Sequence, residues 1–211
     1  MESNSKAPEG KLVAYFVRHG QTEGNANGLF RGSLDYPLSE KGQKDANKLA
    51  GYFSSINLGP AYSSDTIRAR TTAETVLEPK GIVASETPDL RSWNTGYLSG
   101  LPKSKHQNDI DFFQKNENTA IPNGESLNQF RLRVGPRIKN SILKGIQSGV
   151  PSITFLHSSG IHELSHILYG DHSYIKVKPG GVVGVYHSGN KLSAKALVNE
   201  SKGHSDEHFG G

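Results

Sequence analysis

The chain has 211 residues, which is enough for one sizeable α/β domain and marginal for two. It contains no cysteine, and this excludes disulfides, thiolate nucleophiles and cysteine zinc sites and fits a reducing compartment. Its net charge of +4 suits an anionic small-molecule substrate, and because no block of like charges occurs, nucleic acid binding is not indicated.

The two ends of the chain differ in composition from the part between them. Residues 1–10 are polar and predict a flexible leader, and residues 199–211 predict a flexible tail. A single domain is expected over residues 11–198. The polar start is no signal peptide, and no apolar stretch approaches 18 residues. We therefore expect a cytoplasmic protein that is not embedded in a membrane; its oligomeric state stays open.

Strand and helix patterns alternate between these ends. Strands are predicted at Leu12–Val17, Pro60–Ser63, Ile82–Ser85 and Ile153–Leu156, and a hairpin with a turn at Gly189-Asn190 is predicted from Val182–His187 and Leu192–Val198. Helices are predicted from an N-cap at Ser39 to Phe53, over Thr66–Leu77, over Ser126–Ile146, where Pro136 must kink or split the helix, and over Ile161–Tyr169. The alternation predicts a three-layer α/β/α sandwich with a mainly parallel sheet.

A long segment, residues 92–124, interrupts this alternation. It is rich in Gly, Asn and Pro and predicts a loop with one short helix. Loops of this length in compact domains are often functional, so the segment is interpreted as a lid over a site.

Two predicted strands end in a histidine. Arg18-His19-Gly20 follows the first strand, and His157 follows the strand Ile153–Leu156. Open α/β sheets place their ligand sites at the carboxyl ends of their strands. Arginine suits phosphate because its planar fork donates two parallel hydrogen bonds, and histidine can attack phosphorus near neutral pH. Each residue taken alone is equally explained as a polar strand end, whereas the repeat indicates a site.

The wider pattern resembles the histidine phosphatase superfamily, in its phosphoglycerate mutase-like branch, over roughly residues 11–198. The matching motifs are Arg18-His19-Gly20-Gln21-Thr22, Asn25, Phe30-Arg31-Gly32, Asp35-Tyr36-Pro37-Leu38-Ser39 with Gly42, Ser63-Ser64-Asp65, Arg68-Ala69, Thr72-Ala73, Asn123-Gly124-Glu125-Ser126 and His157.

The resemblance implies a role for each matching position. His19 would be the nucleophile that becomes phosphohistidine, and Arg18, Arg68 and His157 would form the phosphate pocket. Further contacts to phosphate or substrate are implied for Asn25, for Arg31-Gly32 and for the backbone N–H of Ser158. No metal or other cofactor is implied, because arginines and a histidine would stabilise the transferring phosphoryl group.

One departure from the family pattern concerns the proton donor to the leaving group. Relatives commonly carry a glutamate where this chain has Ser92, although the following Gly96 and Gly100 are in place. A serine hydroxyl is a poor general acid because its pKa lies far above the working pH. Another carboxylate, Glu125 or Asp109, is one answer, although each also fits a structural role at a helix start. A substrate with a good leaving group, or a slow or non-catalytic phosphate-binding protein, are the others.

Two smaller departures are Ser158-Ser159, where relatives often have glycines, and Arg31, where they often have a small or polar residue. The serine hydroxyls are interpreted as helix caps, with a ligand contact as the alternative. Arg31 would add positive charge to the pocket or lie in a surface turn.

A rival motif lies in the last predicted helix. His162-Glu163-Leu164-Ser165-His166 fits the His-Glu-x-x-His zinc pattern, and His172 follows. Tyr169 stands where a metzincin protease would have glycine, so partly exposed histidines on an amphipathic helix are the preferred interpretation.

The sequence therefore predicts a metal-independent phosphatase acting on small phosphorylated molecules. A phosphoglycerate mutase-type phosphotransferase and a phosphate-binding module without activity remain alternatives.

Overall fold

A computed structural model of the protein describes residues 10–172 and 175–200. Within these residues, six strands form one sheet in the order β3-β2-β4-β1-β5-β6. The strands are β1 (Lys11–Arg18), β2 (Ala61–Ser64), β3 (Ser85–Thr87), β4 (Ser152–Leu156), β5 (Val177–Ser188) and β6 (Lys191–Glu200). Strands β3, β2, β4 and β1 are parallel, while β5 is antiparallel to β1 and β6 to β5. The mainly parallel sheet is confirmed.

Helices cover both faces of this sheet, as predicted. They are α1 (Glu23–Ala26), α2 (Glu40–Phe53), α3 (Ile67–Leu77), α4 (Gln107–Lys115), α5 (Leu127–Ser148) and α6 (Ser158–Tyr169). Successive side chains of a strand point to opposite faces, and β1 shows this directly. Tyr15 and Val17 pack with residues of α2 and α3, whereas Phe16 packs with residues of α5 and α6. β1 thus lies inside the sheet, between β4 and β5, and has helices packed on both of its faces.

Local sequence signals place most boundaries correctly. The Ser39 hydroxyl accepts a hydrogen bond from the Gly42 N–H at 3.2 Å and caps α2. Ser126 caps α5 in a reciprocal capping box with Gln129. The predicted hairpin is present as β5 and β6. Residues 1–9 of the predicted leader and 201–211 of the predicted tail lie outside the described residues, and β6 extends into the predicted tail as far as Glu200.

The third strand begins later than predicted over Ile82–Ser85. Gly81 ends a short 3-10 turn in the left-handed region, with φ of +66°, and the Ile82 N–H bonds back to the Leu77 carbonyl. The chain is therefore still completing the end of α3 where strand propensity is highest. Val83, a good strand former, is 91% exposed, because tertiary position overrides its propensity.

Pro136 does not split α5, which runs unbroken from Leu127 to Ser148. Proline removes the hydrogen bond that its own N–H would donate to the carbonyl four residues earlier, here that of Leu132. Pro136 is exposed, and Leu132 is 77% exposed. The proline thus lies on the solvent side of the helix, where a lost hydrogen bond costs less than in the core.

The segment 92–124 is firmly packed on the body of the fold. It contains α4, the expected short helix. Its apolar side chains Trp93, Leu98, Ile110 and Ile121 are buried in the same core as α5 and α6. The Trp93 Nε1–H donates to the carbonyl of Glu125 at 3.1 Å. This arrangement makes the segment one wall of the site.

Candidate active site

His19 directly follows β1, and a backbone contact holds its ring in one tautomer. Its Nδ1 lies 2.6 Å from the carbonyl oxygen of Gly20. Because a carbonyl oxygen only accepts hydrogen bonds, Nδ1 carries the proton and Nε2 carries the lone pair. Nε2 is buried and makes no hydrogen bond within the described part of the chain. Among these residues, the lone pair on Nε2 of His19 therefore has no hydrogen-bond partner.

Three buried arginines set the electrostatics around His19. Burial, followed by the guanidinium groups of Arg68, Arg31 and Arg18, holds the pKa of His19 well below its usual 6.5. The ring is therefore neutral at neutral pH. Arg31 is fully buried, so its interpretation as a surface arginine is wrong. Guanidinium groups gathered with so little water around them favour an anionic ligand, since the anion replaces lost solvation.

Arg68 holds the second histidine, His157, close to the first. Its Nε donates to Nδ1 of His157 at 3.3 Å, and the His157 ring lies 5.2 Å from the His19 ring, centroid to centroid. Arg68 Nη1 pairs with Asp35 Oδ1 at 3.2 Å, whereas its buried Nη2 makes no hydrogen bond among the described residues. Burial lowers the pKa of Arg68 to about 10, which leaves the guanidinium charged at neutral pH.

His157 is the N-cap residue of α6 and is also neutral. Burial, with Arg68 next, holds its pKa well below 6.5. Its Nε2 lies 3.0 Å from the Ser64 hydroxyl and 3.5 Å from that of Thr66. Ser158 is the first residue of α6, so its backbone N–H belongs to the positive end of the helix, beside the two histidines.

Close backbone contacts explain two glycines near His19. A Cβ on Gly20 would lie 2.5 Å from the Gly42 carbonyl oxygen, so the loop after β1 can press against the start of α2. Gly32 has φ of +49°, and a Cβ there would collide with the hydroxyls of Ser99 and Thr95. The first contact fixes the turn that orients His19, and the second seats Arg31 against the segment 92–124.

A cleft of about 370 Å³ borders this buried pocket. Its lining includes Gly32, Asp35, Thr66, Ser92, Glu125 and Arg133. Asp35, through Arg68, and Thr66, through His157, belong to both the cleft and the pocket. A ligand whose anionic group reached His19 would therefore have room for the rest of the molecule.

Arg133 holds one wall of the cleft and was not identified from the sequence. Its guanidinium makes five hydrogen bonds: two to the Glu125 carboxylate and one each to the carbonyls of Asp89, Arg91 and Ser92. Glu125 also accepts from the Asn94 N–H at 2.8 Å. Glu125 thus lies in the cleft, as expected for a candidate acid, but in a bidentate pair with arginine.

Ser92 stands where relatives commonly have a glutamate. It contacts Ser159, which stands where relatives often have a glycine. Its hydroxyl lies 3.1 Å from that of Ser159 in the first turn of α6, and Ser159 also accepts from the Trp93 N–H at 3.2 Å. Helix α6 begins at Ser158, three residues earlier than predicted, and His157 caps it without a side-chain hydrogen bond. The predicted capping role of the two serines is therefore wrong.

Two other predicted residues, Asn25 and Asp109, make contacts at the starts of short helices. Asn25 Oδ1 accepts from the backbone N–H and the hydroxyl of Thr22, in a capping box that starts α1. Asp109 pairs with His106 at 2.8 Å and is the third residue of α4, whose N-cap is His106. Asp109 is thus not an N-cap, and it is not among the residues that line the cleft.

The zinc-like motif forms a different structure. Glu163 pairs with Arg131 at 3.5 Å, and the His166 ring stacks on His172 with centroids 4.1 Å apart. His162 is 4% exposed, which contradicts its expected partial exposure. Among residues 10–172 and 175–200, no three His, Asp or Glu side chains are grouped so that they could hold a metal ion.

Comparison with known proteins gives the family. The sequence model of the histidine phosphatase superfamily (branch 1) matches residues 14–161. The chain belongs to this superfamily, which confirms the resemblance found in its motifs. None of the helices that the structure describes is long and apolar enough to cross a membrane.

Named relatives and solved structures lie within the same group. A 2,3-bisphosphoglycerate-dependent phosphoglycerate mutase of Bartonella henselae is 28% identical over 197 residues, 86% of this chain and 96% of the relative. A phosphoglycerate mutase of Schizosaccharomyces pombe is 31% identical over 202 residues, 87% and 94% of the two chains. The structure of a Thermus thermophilus phosphoglycerate mutase superposes with a TM-score of 0.66 at 28% identity, covering 89% of this chain and 98% of that one. A mycobacterial glucosyl-3-phosphoglycerate phosphatase, at 24% identity, shares the fold with a TM-score of 0.74, covering 90% of this chain and all of that one.

Proposed function

We propose that this protein hydrolyses phosphomonoesters, or related phosphate compounds, of small molecules through a phosphohistidine at His19, without a metal ion. The observation that carries the proposal is the state of the His19 ring. Its Nδ1–H is held by the Gly20 carbonyl, and its buried Nε2 has no hydrogen-bond partner among the described residues. A neutral imidazole whose lone pair is buried among arginines is suited to attack an electrophilic phosphorus.

The reaction has two steps. In the first, the Nε2 lone pair of His19 forms a bond to phosphorus while the bond from phosphorus to the leaving oxygen breaks. In the second, a water oxygen attacks the same phosphorus, the phosphorus–nitrogen bond breaks, and its electron pair returns to Nε2 as inorganic phosphate leaves. Arg18, Arg68 and His157 are the proposed phosphate pocket. Their charges and donors stabilise the phosphoryl oxygens without moving during the reaction.

Further donors are proposed around this pocket. Arg31 contributes charge from its buried position beside His19, and the N–H of Ser158 lies at the positive end of α6. The backbone at Gly32 reaches the cleft. For Asn25 the capping box with Thr22 supports a role in shaping the loop rather than direct contact with substrate. For Glu125 the pair with Arg133 supports an anchoring role rather than proton donation.

The test of this proposal is the His19→Ala variant. Turnover should fall by roughly a thousandfold or more, as when a nucleophile is lost, while circular dichroism and melting show an intact fold. The matched control is His187→Ala, at the far end of β5, which should keep wild-type turnover. Substantial turnover by folded His19→Ala would overturn the proposed mechanism.

A second candidate is a mutase, which returns the phosphoryl group from histidine to a sugar acid. The names of the relatives favour it. Against it, the cationic side chains lining the cleft are Arg91 and Arg133, and both are already paired with carboxylates, Asp65 and Glu125. Among the described residues of this lining, a second anionic group on the substrate would therefore meet only cations that are already paired with carboxylates. Assay of 3-phosphoglycerate with the bisphosphorylated cofactor separates the two: isomerisation faster than phosphate release would identify a mutase.

A further inference from the structure

Among the residues that the structure describes, every carboxylate that lines the cleft is paired with an arginine. Glu125 is paired with Arg133, and Asp35 accepts from Arg68 at 3.2 Å and from the backbone N–H of Ile67 at 3.0 Å. The third, Asp89, accepts from Arg137 at 2.7 Å. A carboxylate that accepts charge-assisted hydrogen bonds from a guanidinium acts as an anion and offers lone pairs, not a proton.

The histidines and hydroxyls do not supply a proton either. The Nδ1 of His157 accepts from Arg68, so its single proton is on Nε2, which faces the hydroxyl of Ser64. The other polar groups of the lining include the hydroxyls of Ser92 and Thr66. A hydroxyl is too weak an acid to protonate a leaving group in the transition state.

A titratable group of intermediate acidity does exist, but it lies elsewhere. Burial raises the pKa of Glu163 to about 7. Its carboxylate lies against Arg131 and 3.8 Å from where a Cβ on Gly135 would be, between α6 and α5. It is not part of the cleft lining. The carboxylates of the cleft are thus all paired with arginines. In the part of the chain that the structure describes, the cleft contains no side chain that could act as a general acid.

We propose that the enzyme is selective for phosphate compounds whose leaving group departs as a stable anion without being protonated: acyl phosphates above all, with enol and aryl phosphates in the same class. This inference rests on the proposed function. As Nε2 of His19 bonds to phosphorus, the leaving oxygen takes the electron pair of the breaking bond and leaves as a carboxylate, enolate or phenolate. Any later proton comes from water.

The second step, in which water hydrolyses the phosphohistidine, needs no general acid. Phosphoryl transfer passes through a loose transition state with little bonding to the attacking group, so the water requires little activation. The leaving group of this second step is the neutral imidazole of His19, whose Nδ1–H is already held by Gly20. Only the first step therefore depends on how stable the leaving anion is. The enzyme discriminates between substrates at that step.

The experiment uses the full chain and a series of substituted phenyl phosphates of graded leaving-group acidity, together with acetyl phosphate and the alkyl ester glycerol 3-phosphate. We expect kcat/KM to fall steeply as the leaving group becomes more basic, so that the alkyl ester is hydrolysed slower than acetyl phosphate by about a hundredfold or more, the contribution of a missing general acid. Samples quenched in alkali, in which phosphohistidine survives, are assayed for phosphohistidine with every substrate.

The outcomes separate the inference from the function on which it rests. Phosphohistidine at His19 with kcat/KM nearly independent of the leaving group would overturn the inference and leave the proposed function standing. Absence of phosphohistidine with all substrates would overturn both. A steep dependence with phosphohistidine supports both.

A pair of variants tests whether adding an acid to the cleft removes this selectivity. Ser92→Glu places a carboxylic acid in the cleft, and Ser92→Gln is its isosteric control without an acidic proton. Ser92→Glu should raise the rate with glycerol 3-phosphate at least about tenfold, a modest share of general-acid catalysis, and flatten the leaving-group dependence. An equal response of the two variants, with both folded by circular dichroism, would contradict a missing acid as the cause of selectivity.

Discussion

The hydroxyls of Ser92 and Ser159 lie 3.1 Å apart, although 66 residues separate them in the chain. Each stands at a position where the sequence departs from the pattern of its family. Together they join the segment after the third strand to the first turn of α6, next to His157. The two departures therefore meet at one place, where Ser92 in the lining of the cleft is hydrogen-bonded to the buried hydroxyl of Ser159.

Removing one member of this pair tests how much it contributes to the stability of the fold. Ser159→Ala removes a fully buried acceptor from the Trp93 N–H and a partner from Ser92. We expect the free energy of unfolding to fall by about 1–2 kcal/mol, the cost of breaking buried hydrogen bonds. Ser55→Ala, at an exposed serine after α2, should change it by less than about 0.5 kcal/mol. Equal effects of the two variants in denaturant unfolding would show that the pair does not stabilise the wall.

Arg133 should matter through geometry rather than charge. Arg133→Lys keeps the positive charge but loses the planar fork that contacts Glu125 and three carbonyls. We expect a loss of about 1–3 kcal/mol of stability, reduced from the fully buried value because the side chain is partly exposed. We also expect a lower kcat/KM, because the Ser92 segment becomes mobile. Arg137→Lys, one turn further along α5 and half-exposed, is the control and should cost below about 1 kcal/mol. Full activity in Arg133→Lys would exclude a positioning role.

The pH profile should reflect the depressed pKa of His19. An ordinary histidine with a pKa of 6.5 would lose its lone pair as the pH falls through that value. Burial and the neighbouring arginines hold the pKa of His19 well below it, so the ring stays neutral in this range. After correction for the ionisation of the substrate, kcat/KM should decline only well below pH 6.5. An acidic limb centred near pH 6.5 would contradict the electrostatic description of the pocket.

Glu163 should make stability depend on pH. Burial raises its pKa from 4.5 to about 7, so between these values the folded protein keeps a proton that the unfolded chain has lost. The free energy of unfolding therefore decreases as the pH rises through this window. Glu163→Gln lacks this contribution, so its stability relative to wild type should increase from pH 4.5 to 7 and then level off. A difference that stays constant in denaturant unfolding across the range would contradict this account.

Metal removal distinguishes the two motifs that the sequence offered. The proposed chemistry uses His19 and arginines, so dialysis against a chelator should leave kcat/KM unchanged within experimental error. Loss of activity in chelator, restored by zinc, would instead favour the motif at His162 and His166.

The sequence predicts the part of the site that follows from topology. Arg18-His19 and His157 end neighbouring parallel strands, so placing both strands in one sheet brings both histidines to one edge. Sequence patterns do not predict which side chains meet between distant loops. The clamp of Arg133 on residues 89–92 and the Ser92–Ser159 pair depend on how segment 92–124 packs against α5 and α6, and neither has a fixed spacing in the chain. The late start of β3 has a different, local cause, because the chain is still completing the end of α3 at Gly81 and Ile82.

The most direct test of the central claim is to trap the intermediate. The full chain is mixed with a phosphorus-labelled aryl phosphate, quenched under conditions that preserve phosphohistidine within a single turnover, and mapped by peptide. We predict an acid-labile label on the peptide containing His19, absent in His19→Ala and formed no slower than phosphate is released. Phosphate release without label on His19, or label on another residue that turns over at the steady-state rate, would contradict the account.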